Sequence, residues 1–369
     1  MKPTDASKAV YGSNSKLLSQ AWKKPNAAMI MDILNIHSLI GAFLAGVLLA
    51  ETEFKAFIEK AGLPAAWTIM GMSAISTDHP LGVGMLGMHG NYAPNIMTDK
   101  CDVLIAIGMR FDDRVTGDAA TFAKQARIVH IEIDPAEVEK IKKTEAPVIG
   151  DVKEALKLLT PLVKSGDFTA WKNEFRKMEP EENEAVTDRD LKGEGKIKMA
   201  EVVRLVSEKT KGQACVVVDV GQHQMVTARY YQFQNPHSYI ASGGLGTMGF
   251  AIPAALGAKM GAPDREVIAF IGDGCFQMTN QELVTCALNN IPIKVAVINN
   301  ESLGMVRQWQ TLFYNQRYSN TDLHSKRIPD FKLLAEAMGC VGLRCESPGD
   351  VDKTIEAAMA INDRPVVVD

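Results

Sequence analysis

The sequence predicts an α/β fold with two parallel-sheet units. From residue 54 onward, continuously apolar runs alternate with helical patterns, and the strand-like runs lie at 102–107, 128–133, 215–220, 266–271, 293–298 and 365–368. Continuous rather than alternating apolarity is typical of parallel strands that are buried on both faces. Several of the runs end in loops rich in Gly, Asp or Asn, and ligands bind at the carboxyl ends of strands in open parallel sheets. Both units are therefore expected to be Rossmann-like.

The composition is that of a globular protein. The chain has 369 residues, of which 46% are hydrophobic and 23% charged, with a net charge of -4. At about 150 residues per domain, this length predicts two or three domains. A basic face that would attract nucleic acid is not indicated. The six cysteines form no CxxC pair and lie mostly in apolar runs, which favours buried thiols in a reducing, cytoplasmic setting.

Residues 1–50 do not continue the alternation and are interpreted as an atypical N-terminal segment of uncertain origin. The run at 34–50 is largely apolar but slightly shorter than the ~20 residues of a membrane span. Part of it, GAFLAGVLLAETEF, resembles a membrane helix of the cation/proton antiporter family. A buried or irregular helix, a segment of foreign origin and a membrane contact are the alternatives, and the membrane contact is the least expected.

Three divisions follow the N-terminal segment. Residues 51–163 form the first unit, in which Asp134-Pro135 predicts a helix start and 152–163 the last helix. Residues 164–196 are dense in Lys, Glu and Asp and predict an exposed charged linker. Residues 197–369 form the second unit and are expected to begin with a helix.

The strongest chemical signal runs from Gly272-Asp273-Gly274 to Asn299-Asn300, two loops that follow consecutive strands. Between them, Thr279 and Glu282 predict a helix with a capping box. This arrangement brings together the side chains of Asp273 and Asn300. A carboxylate and an amide oxygen suit Mg²⁺, which completes its octahedron with phosphate oxygens and waters. The flanking glycines let the backbone approach such phosphates closely.

Residues 272–300 resemble the thiamine diphosphate (ThDP) motif. Together with GQHQM at 221–225, SGGLGTMG at 242–249 and NNESLGMVRQW at 299–309, they resemble the catalytic subunit of the acetohydroxyacid synthase (acetolactate synthase) family over residues 54–369. The resemblance implies decarboxylation of pyruvate and condensation with a second 2-ketoacid, pyruvate or 2-ketobutyrate, in branched-chain amino acid biosynthesis. It also implies a homodimer or tetramer and allows for a regulatory small subunit.

The same resemblance implies roles for individual residues at the ThDP site. Asp273, Asn300 and the backbone carbonyl of Ser302 hold Mg²⁺. Met248 supports the folded cofactor, and the Gly246 carbonyl accepts a hydrogen bond from its 4′-amino group. The acceptor substrate lies against Trp309 and Met305. The other cofactor contacts come from residues that follow strand ends, and these are Gln222, His223, Gly272, Gly274 and Cys275.

The first unit resembles the family's FAD-binding domain, at MLGMHG (85–90) and GMRFDDRVTG (108–117). The implied flavin contacts are His89, Gly90, Gly108, Arg110, Glu132, Asp134 and Asp151. An arginine after a strand can reach a phosphate, and the three acidic residues can accept hydrogen bonds from ribose or amide groups. The GxGxxG fingerprint is absent, so FAD follows from the resemblance alone. In this family the flavin has no redox role in the net reaction.

Family members carry a further N-terminal domain that binds the pyrimidine end of ThDP and supplies the glutamate for its N1′ atom. Residues 1–50 do not resemble that domain, and neither Glu51 nor Glu53 lies in a matching motif. We therefore expect a fragment that lacks full activity on its own. The alternatives are a non-catalytic ThDP/Mg²⁺-binding fragment, or pyruvate oxidase or glyoxylate carboligase. RFDDRVTG and Arg307-Gln308-Trp309 disfavour both of these enzymes.

Overall fold

The computed structural model describes residues 51–191, 195–323 and 329–369. The expectations for residues 1–50 lie outside this part of the chain. Within the described ranges, no helix is both long enough and apolar enough to cross a membrane.

The first unit consists of short strands and helices with parallel pairing throughout. Its elements are α1 (Glu51–Ala61), β1 (Ala65–Trp67), β2 (Gly82–Met85), α2 (Tyr92–Thr98), β3 (Val103–Ile107), α3 (Asp113–Thr116), β4 (Arg127–Glu132), β5 (Ala146–Ile149) and α4 (Val152–Leu159). β1 pairs with β2, and β3, β4 and β5 form a three-stranded sheet in that order. The two predicted strands and the last helix are confirmed, although the helix ends as a 3₁₀ turn at Thr160–Leu162.

The helix predicted after Asp134-Pro135 is wrong, because residues 135–139 form turns. The Asp134 carboxylate accepts a hydrogen bond from the backbone N–H of Ala136 at 2.9 Å, which closes a local turn. Glu139 then adopts a left-handed backbone with φ 60°, which a helix cannot continue through. The chain instead reaches β5, a strand that the sequence pattern did not reveal.

The segment 164–196, expected to be an exposed charged linker, is mostly helical in its described part. It contains α5 (Thr169–Glu182), a π-helical turn (Asn183–Thr187) and α6 (Asp188–Leu191). Trp171 and Phe175 lie four residues apart with their rings edge to face at 6.0 Å, and they pack against α2. Two aromatic side chains at helical spacing are enough to anchor a helix whose other faces are charged.

The second unit is built on a larger parallel sheet. Its elements are α7 (Met199–Thr210), β6 (Cys215–Val218), α8 (Gln222–Tyr230), β7 (Tyr239–Ala241), α9 (Ala251–Gly261), β8 (Val267–Gly272), α10 (Asp273–Thr279), α11 (Glu282–Leu288), β9 (Lys294–Ile298), α12 (Gly304–Phe313), α13 (Phe331–Ala337), β10 (Val341–Leu343), α14 (Val351–Ala360) and β11 (Val366–Val368). The strand order is β10-β11-β9-β8-β6-β7, and every pair is parallel. All four strands predicted for this unit are confirmed, and α7 begins two residues after the expected start.

Both faces of this sheet are covered, as continuous apolarity predicts. Along β6, Cys215 and Val217 pack into one core cluster, whereas Val216 and Val218 pack into the cluster on the other face. β8 divides its residues between the same two clusters. The sheet is thus a buried platform, and the loops at its carboxyl edge carry the polar residues.

The predicted capping box is wrong. Thr279 is the last residue of α10 rather than the start of a helix, and its hydroxyl donates to the carbonyl oxygen of Gly249 at 2.8 Å. α11 begins separately at Glu282. Thr279 therefore ties α10 to the glycine-rich loop that precedes α9.

Candidate active site

A cleft of about 1000 Å³ opens between the carboxyl ends of the strands of the two units. Most residues proposed from the sequence line this one cleft. From the second unit these are Gln222, His223, Gly246, Met248, Gly272, Asp273, Gly274, Cys275, Asn300, Ser302, Met305 and Trp309; from the first unit they are His89, Gly108, Arg110, Glu132 and Asp134. Gly90 and Asp151 are not among the lining residues.

Asp273 and Asn300 are brought together by strand pairing. Gly272 at the end of β8 pairs with Ile298 at the end of β9, so the loops that follow both strands begin side by side. The Asp273 carboxylate accepts from the N–H of Gly274 at 3.0 Å, and the Asn300 amide oxygen accepts from the N–H of Ser302 at 3.1 Å. The two side chains are thereby oriented by the loops that carry them.

The environment of Asp273 favours a cation. The residue is only 3% exposed, and this burial raises the pKa of its carboxyl, with a smaller contribution from Glu301. In the described ranges, no three His, Cys, Asp or Glu side chains cluster as a metal site. One carboxylate, one amide and backbone carbonyls match an ion that takes its other ligands from phosphate oxygens and waters.

Glycines leave room for a ligand around these polar groups. A β-carbon added at Gly304 would lie 2.4 Å from the side-chain oxygen of Gln222 and 2.9 Å from the amide nitrogen of Asn300. A β-carbon at Gly272 would lie 3.0 Å from the His223 ring, and one at Gly221 would lie 2.6 Å from it. Larger residues at these positions would push the polar side chains out of place, so the glycines are a steric requirement of the site.

His223 is a buried polar residue with one unpaired ring nitrogen among the described residues. The residue is 6% exposed, and its Nε2 atom has no hydrogen-bond partner among the described residues. Burial lowers the pKa of the imidazole to about 4, against the opposing effect of Asp219. An unsatisfied nitrogen in a cleft is costly unless a ligand or water meets it, so this atom is a candidate ligand contact.

The glycine-rich loop is held by Asp219, a residue that the sequence analysis missed. Asp219 is fully buried, and its two carboxylate oxygens accept from the N–H groups of Gly249 and Ala251 at 2.9 and 2.8 Å. Gly246 has a left-handed backbone with φ 65°, and its N–H donates to Ser242. Met248 packs partly against the core. The one sequence signal for Asp219 was its position directly after the apolar residues 215–218.

Cys275 lines the cleft but is not a reactive thiol. Its Sγ donates to the carbonyl oxygen of Val220 at 3.3 Å, and burial, followed by the charge of Asp219, raises the thiol pKa far above its usual range. The thiolate is the nucleophile and metal ligand, and here it is disfavoured.

The C-terminal half of α12 carries two aromatic side chains, Trp309 and Phe313. Trp309 lies 5.1 Å from Phe313 between ring centroids, and the guanidinium of Arg114 from the first unit lies 5.2 Å from the Trp309 ring. Met305 lies one helical turn earlier on the same side of the cleft. This side of the cleft is apolar with a cationic edge, which suits a small anionic molecule.

The polar residues of the first unit that line the cleft range from exposed to buried. Arg110 forms an ion pair with Asp112 at 3.0 Å, and its side chain is 55% exposed. Glu132 is buried and accepts from the N–H groups of Ile133 and Asp134. Gly108 has a left-handed backbone, with φ 60°. These groups can still turn toward a ligand because most of them border solvent.

Gly90 and Asp151 have structural contacts away from the cleft wall. A β-carbon at Gly90 would lie 2.3 Å from the carbonyl oxygen of Met85, so only glycine fits. Asp151 caps α4 by accepting from the N–H of Glu154 at 3.1 Å. Their flavin contacts stay predictions from the resemblance.

Family models match both units. Residues 219–369 match the thiamine pyrophosphate enzyme C-terminal TPP binding domain, and residues 41–159 match the thiamine pyrophosphate enzyme central domain. The central-domain match begins ten residues before the boundary expected from the sequence, and it includes the stretch likened to an antiporter helix.

Three similar proteins are named acetolactate synthase or its large subunit. Acetolactate synthase of Mycobacterium bovis is 48% identical over 331 residues, which cover 87% of this chain and 53% of that protein. The acetolactate synthase large subunit of Corynebacterium glutamicum is 46% identical, and the match covers 87% of this chain and 52% of that protein. The acetolactate synthase large subunit of Lactococcus lactis is 44% identical, and the match covers 86% of this chain and 54% of that protein. The chain spans about half the length of these relatives. It belongs to the thiamine pyrophosphate enzyme family, and its relatives within that family are acetolactate synthase large subunits.

Proposed function

We propose that the chain is catalytic-subunit sequence of an acetolactate synthase. The reaction is the ThDP-dependent decarboxylation of pyruvate and condensation with a second 2-ketoacid, pyruvate or 2-ketobutyrate, in the synthesis of branched-chain amino acids. The observation that carries the proposal is the buried Asp273 beside Asn300 in the cleft, in a chain 48% identical to an acetolactate synthase.

The proposed diphosphate site uses the groups at the ends of β6, β8 and β9. Asp273, Asn300 and the Ser302 carbonyl would hold Mg²⁺. The unsatisfied Nε2 of His223 would meet a diphosphate oxygen, with Gln222 beside it. A β-carbon at Gly272 or Gly304 would contact the side chains of His223, Gln222 or Asn300, so glycine at both positions lets these groups keep their places. The donor set thus fits a metal-bound diphosphate.

When bound, ThDP supplies a nucleophilic thiazolium carbon and an electron sink for decarboxylation. The protein's own contribution is positioning. Met248 would support the folded cofactor, because Asp219 fixes the loop that carries Met248. The Gly246 carbonyl would accept a hydrogen bond from the 4′-amino group. Trp309 and Met305 would exclude water and border the acceptor ketoacid.

FAD belongs to the proposal as a bound cofactor without a redox role in the net reaction. His89, Gly108, Arg110, Glu132 and Asp134 line the first-unit wall of the cleft and supply donors and acceptors for a dinucleotide. The exposed Arg110 would reach a phosphate.

The assembly and location of the protein are part of the same proposal. We expect a homodimer or tetramer with room for a regulatory small subunit, since relatives are named large subunits. All six cysteines are free thiols, which supports a reducing compartment such as the cytoplasm.

The test is product formation from pyruvate with ThDP, Mg²⁺ and FAD. The chain is assayed alone and together with the unmatched N-terminal part of the Corynebacterium glutamicum relative. We expect acetolactate only in the mixture, because the glutamate of the pyrimidine-binding domain is not found in this chain. Turnover by the chain alone contradicts this expectation. ThDP binding with no product in either case favours the non-catalytic alternative, and acetyl phosphate or tartronate semialdehyde favours pyruvate oxidase or glyoxylate carboligase.

A further inference from the structure

A largely buried ion pair links the second unit to the charged segment 164–196, and both of its members also contact residues 89–92 of the first unit. Arg229 in the last turn of α8 pairs with Glu182 at the end of α5, and their side chains are 16% and 10% exposed. The Arg229 guanidinium also donates to the carbonyl oxygens of Gly90, at 2.7 Å, and His89, at 3.5 Å. Glu182 accepts from the side chain of Asn91 at 2.8 Å and from the N–H of Tyr92 at 3.0 Å. Both members of the pair therefore hold the same segment, residues 89–92.

Segment 89–92 has little freedom to adopt another shape. Gly90 approaches Met85 so closely that no side chain fits, and the Asn91 side chain accepts from the N–H of Met85 at 2.9 Å. His89 at the start of the segment lines the cleft, on the wall proposed for the flavin. Burial, then the charges of Arg229 and Arg114, lowers the pKa of His89, which favours the neutral imidazole. Any movement of the segment changes the shape of this wall.

The other end of α8 lies at the diphosphate side of the same cleft. Gln222 and His223 form its first turn and line the cleft, whereas Arg229 lies about 10 Å along the helix axis. The next residue, Tyr230, donates from its hydroxyl to Asp190 of α6 at 2.6 Å. One short helix therefore contacts the diphosphate wall at its start and fixes the flavin wall at its end.

We propose that Arg229 and Glu182 are positioning residues that couple the two walls, so that occupancy of the flavin wall raises the affinity of the diphosphate wall and the reverse. A ligand against His89 further restricts the movement of segment 89–92. The segment then holds Arg229 more firmly, and α8 presents Gln222 and His223 in one orientation. Coupling of this kind is reciprocal by thermodynamic necessity. The identity of the two ligands, FAD and ThDP, rests on the proposed function, but the clamp itself does not.

The clamp is tested first without any cofactor, by amide hydrogen exchange. Arg229→Met keeps an unbranched apolar side chain in place of the arginine methylenes and removes the guanidinium donors. We expect the amides of 89–92 to exchange at least about tenfold faster, while those of β8 are unchanged. Lys209→Met is the matched control, since it breaks ion pairs with Asp352 and Glu356 inside the second unit, away from the cleft. Unchanged exchange at 89–92 overturns the clamp.

Loss of the guanidinium leaves the buried Glu182 without its cationic partner, which could unfold the variant. A second variant that keeps the positive charge is therefore needed. Arg229→Lys keeps the charge but cannot reach Glu182 and Gly90 together as a planar fork does. It is expected to give faster exchange at 89–92 with the rest of the chain protected. Protection at 89–92 equal to that of the unchanged chain also counts against the proposal.

The coupling is tested by titrating FAD through its fluorescence, with and without ThDP and Mg²⁺. In the unchanged chain we expect each cofactor to raise the affinity of the other by about five- to tenfold, and by less than about twofold in Arg229→Met. An unaltered coupling factor in that variant overturns the proposal. If the unchanged chain does not bind FAD, the proposed flavin site and the coupling both fail, and hydrogen exchange still decides whether the ion pair holds the segment.

Discussion

The two walls of the cleft differ in how deeply their polar side chains are buried. The diphosphate wall is the side lined by Gln222, His223, Asp273 and Asn300, and the flavin wall is the side lined by His89, Arg110 and Glu132. The diphosphate wall comes from the ends of β6, β8 and β9, strands at the centre of a six-stranded sheet, and its key side chains Asp273 and His223 are buried. The flavin wall comes from a three-stranded sheet, and its Arg110 is more than half exposed. Dry, pre-oriented polar groups interact strongly with a ligand, whereas solvated ones contribute less. We expect changes to the first wall to have the larger effects.

The largest effect is expected at the metal position. Asp273→Ala removes the one carboxylate that the described residues bring to the proposed Mg²⁺ site, and Mg²⁺-dependent ThDP binding should weaken by at least about a thousandfold, or 4 kcal/mol. Isothermal titration calorimetry measures the change, with the exposed Asp264→Ala as control. Unchanged binding removes Asp273 from the metal site.

A smaller effect is expected beneath the diphosphate wall. Asp219→Asn replaces one acceptor oxygen by a donor opposite a buried backbone N–H group, so the free energy of unfolding should fall by about 2 to 3 kcal/mol. Urea denaturation measures it against Asp264→Asn. ThDP affinity should fall as well, because the loop with Met248 loses its anchor. Stability equal to that of the control contradicts this role.

The pH dependence of stability offers a third comparison. The pKa of His223 is lowered to about 4 in the folded chain, so between that value and the ordinary 6.5 the unfolded chain binds more protons. Stability therefore rises with pH in this window, and about 2 kcal/mol should be lost on going from pH 7.5 to 4.5. His223→Gln should reduce this loss in urea titrations at several pH values, and an NMR titration should find the ring neutral above pH 5. A ring that titrates near 6.5 contradicts the predicted burial effect.

The smallest effect on stability is expected at the flavin wall. Arg110→Ala breaks an ion pair of exposed side chains with Asp112, so the free energy of unfolding should change by less than about 0.5 kcal/mol. FAD affinity should nevertheless fall by about tenfold, since a charge-assisted contact to phosphate is lost. FAD fluorescence and urea denaturation separate the two effects. A loss of stability with no loss of FAD affinity would contradict the comparison between the walls.

Several features were accessible to sequence reasoning because they depend on local patterns. The runs that became β3, β4, β6, β8, β9 and β11 are largely apolar and bordered by turn residues, so their strands were predicted. The short β7 and β10 lack such runs and were missed. The helix predicted at Asp134-Pro135 failed because the aspartate side chain closes a turn. Helix α5 was not predicted, because its two aromatic residues, Trp171 and Phe175, lie among many Lys and Glu residues.

The candidate site divides in the same way. Motif spacing was enough to pair Asp273 with Asn300, since consecutive parallel strands put their ends side by side. It could not identify Asp219, whose role depends on a loop thirty residues away. Nor could it identify Arg229 and Glu182, which are 47 residues apart and meet only through packing of the charged segment against the second unit.

The sequence alone determined the two α/β units, the order of their main strands and the residues that follow the strand ends, because hydrophobic period and turn chemistry are written locally. Only the tertiary structure decided that both walls face one cleft, that the charged segment is helical, and that Asp219 and Arg229 hold the loops of the site. These decisions depend on which buried donors and acceptors find partners across the fold, and that pairing has no local sequence signature.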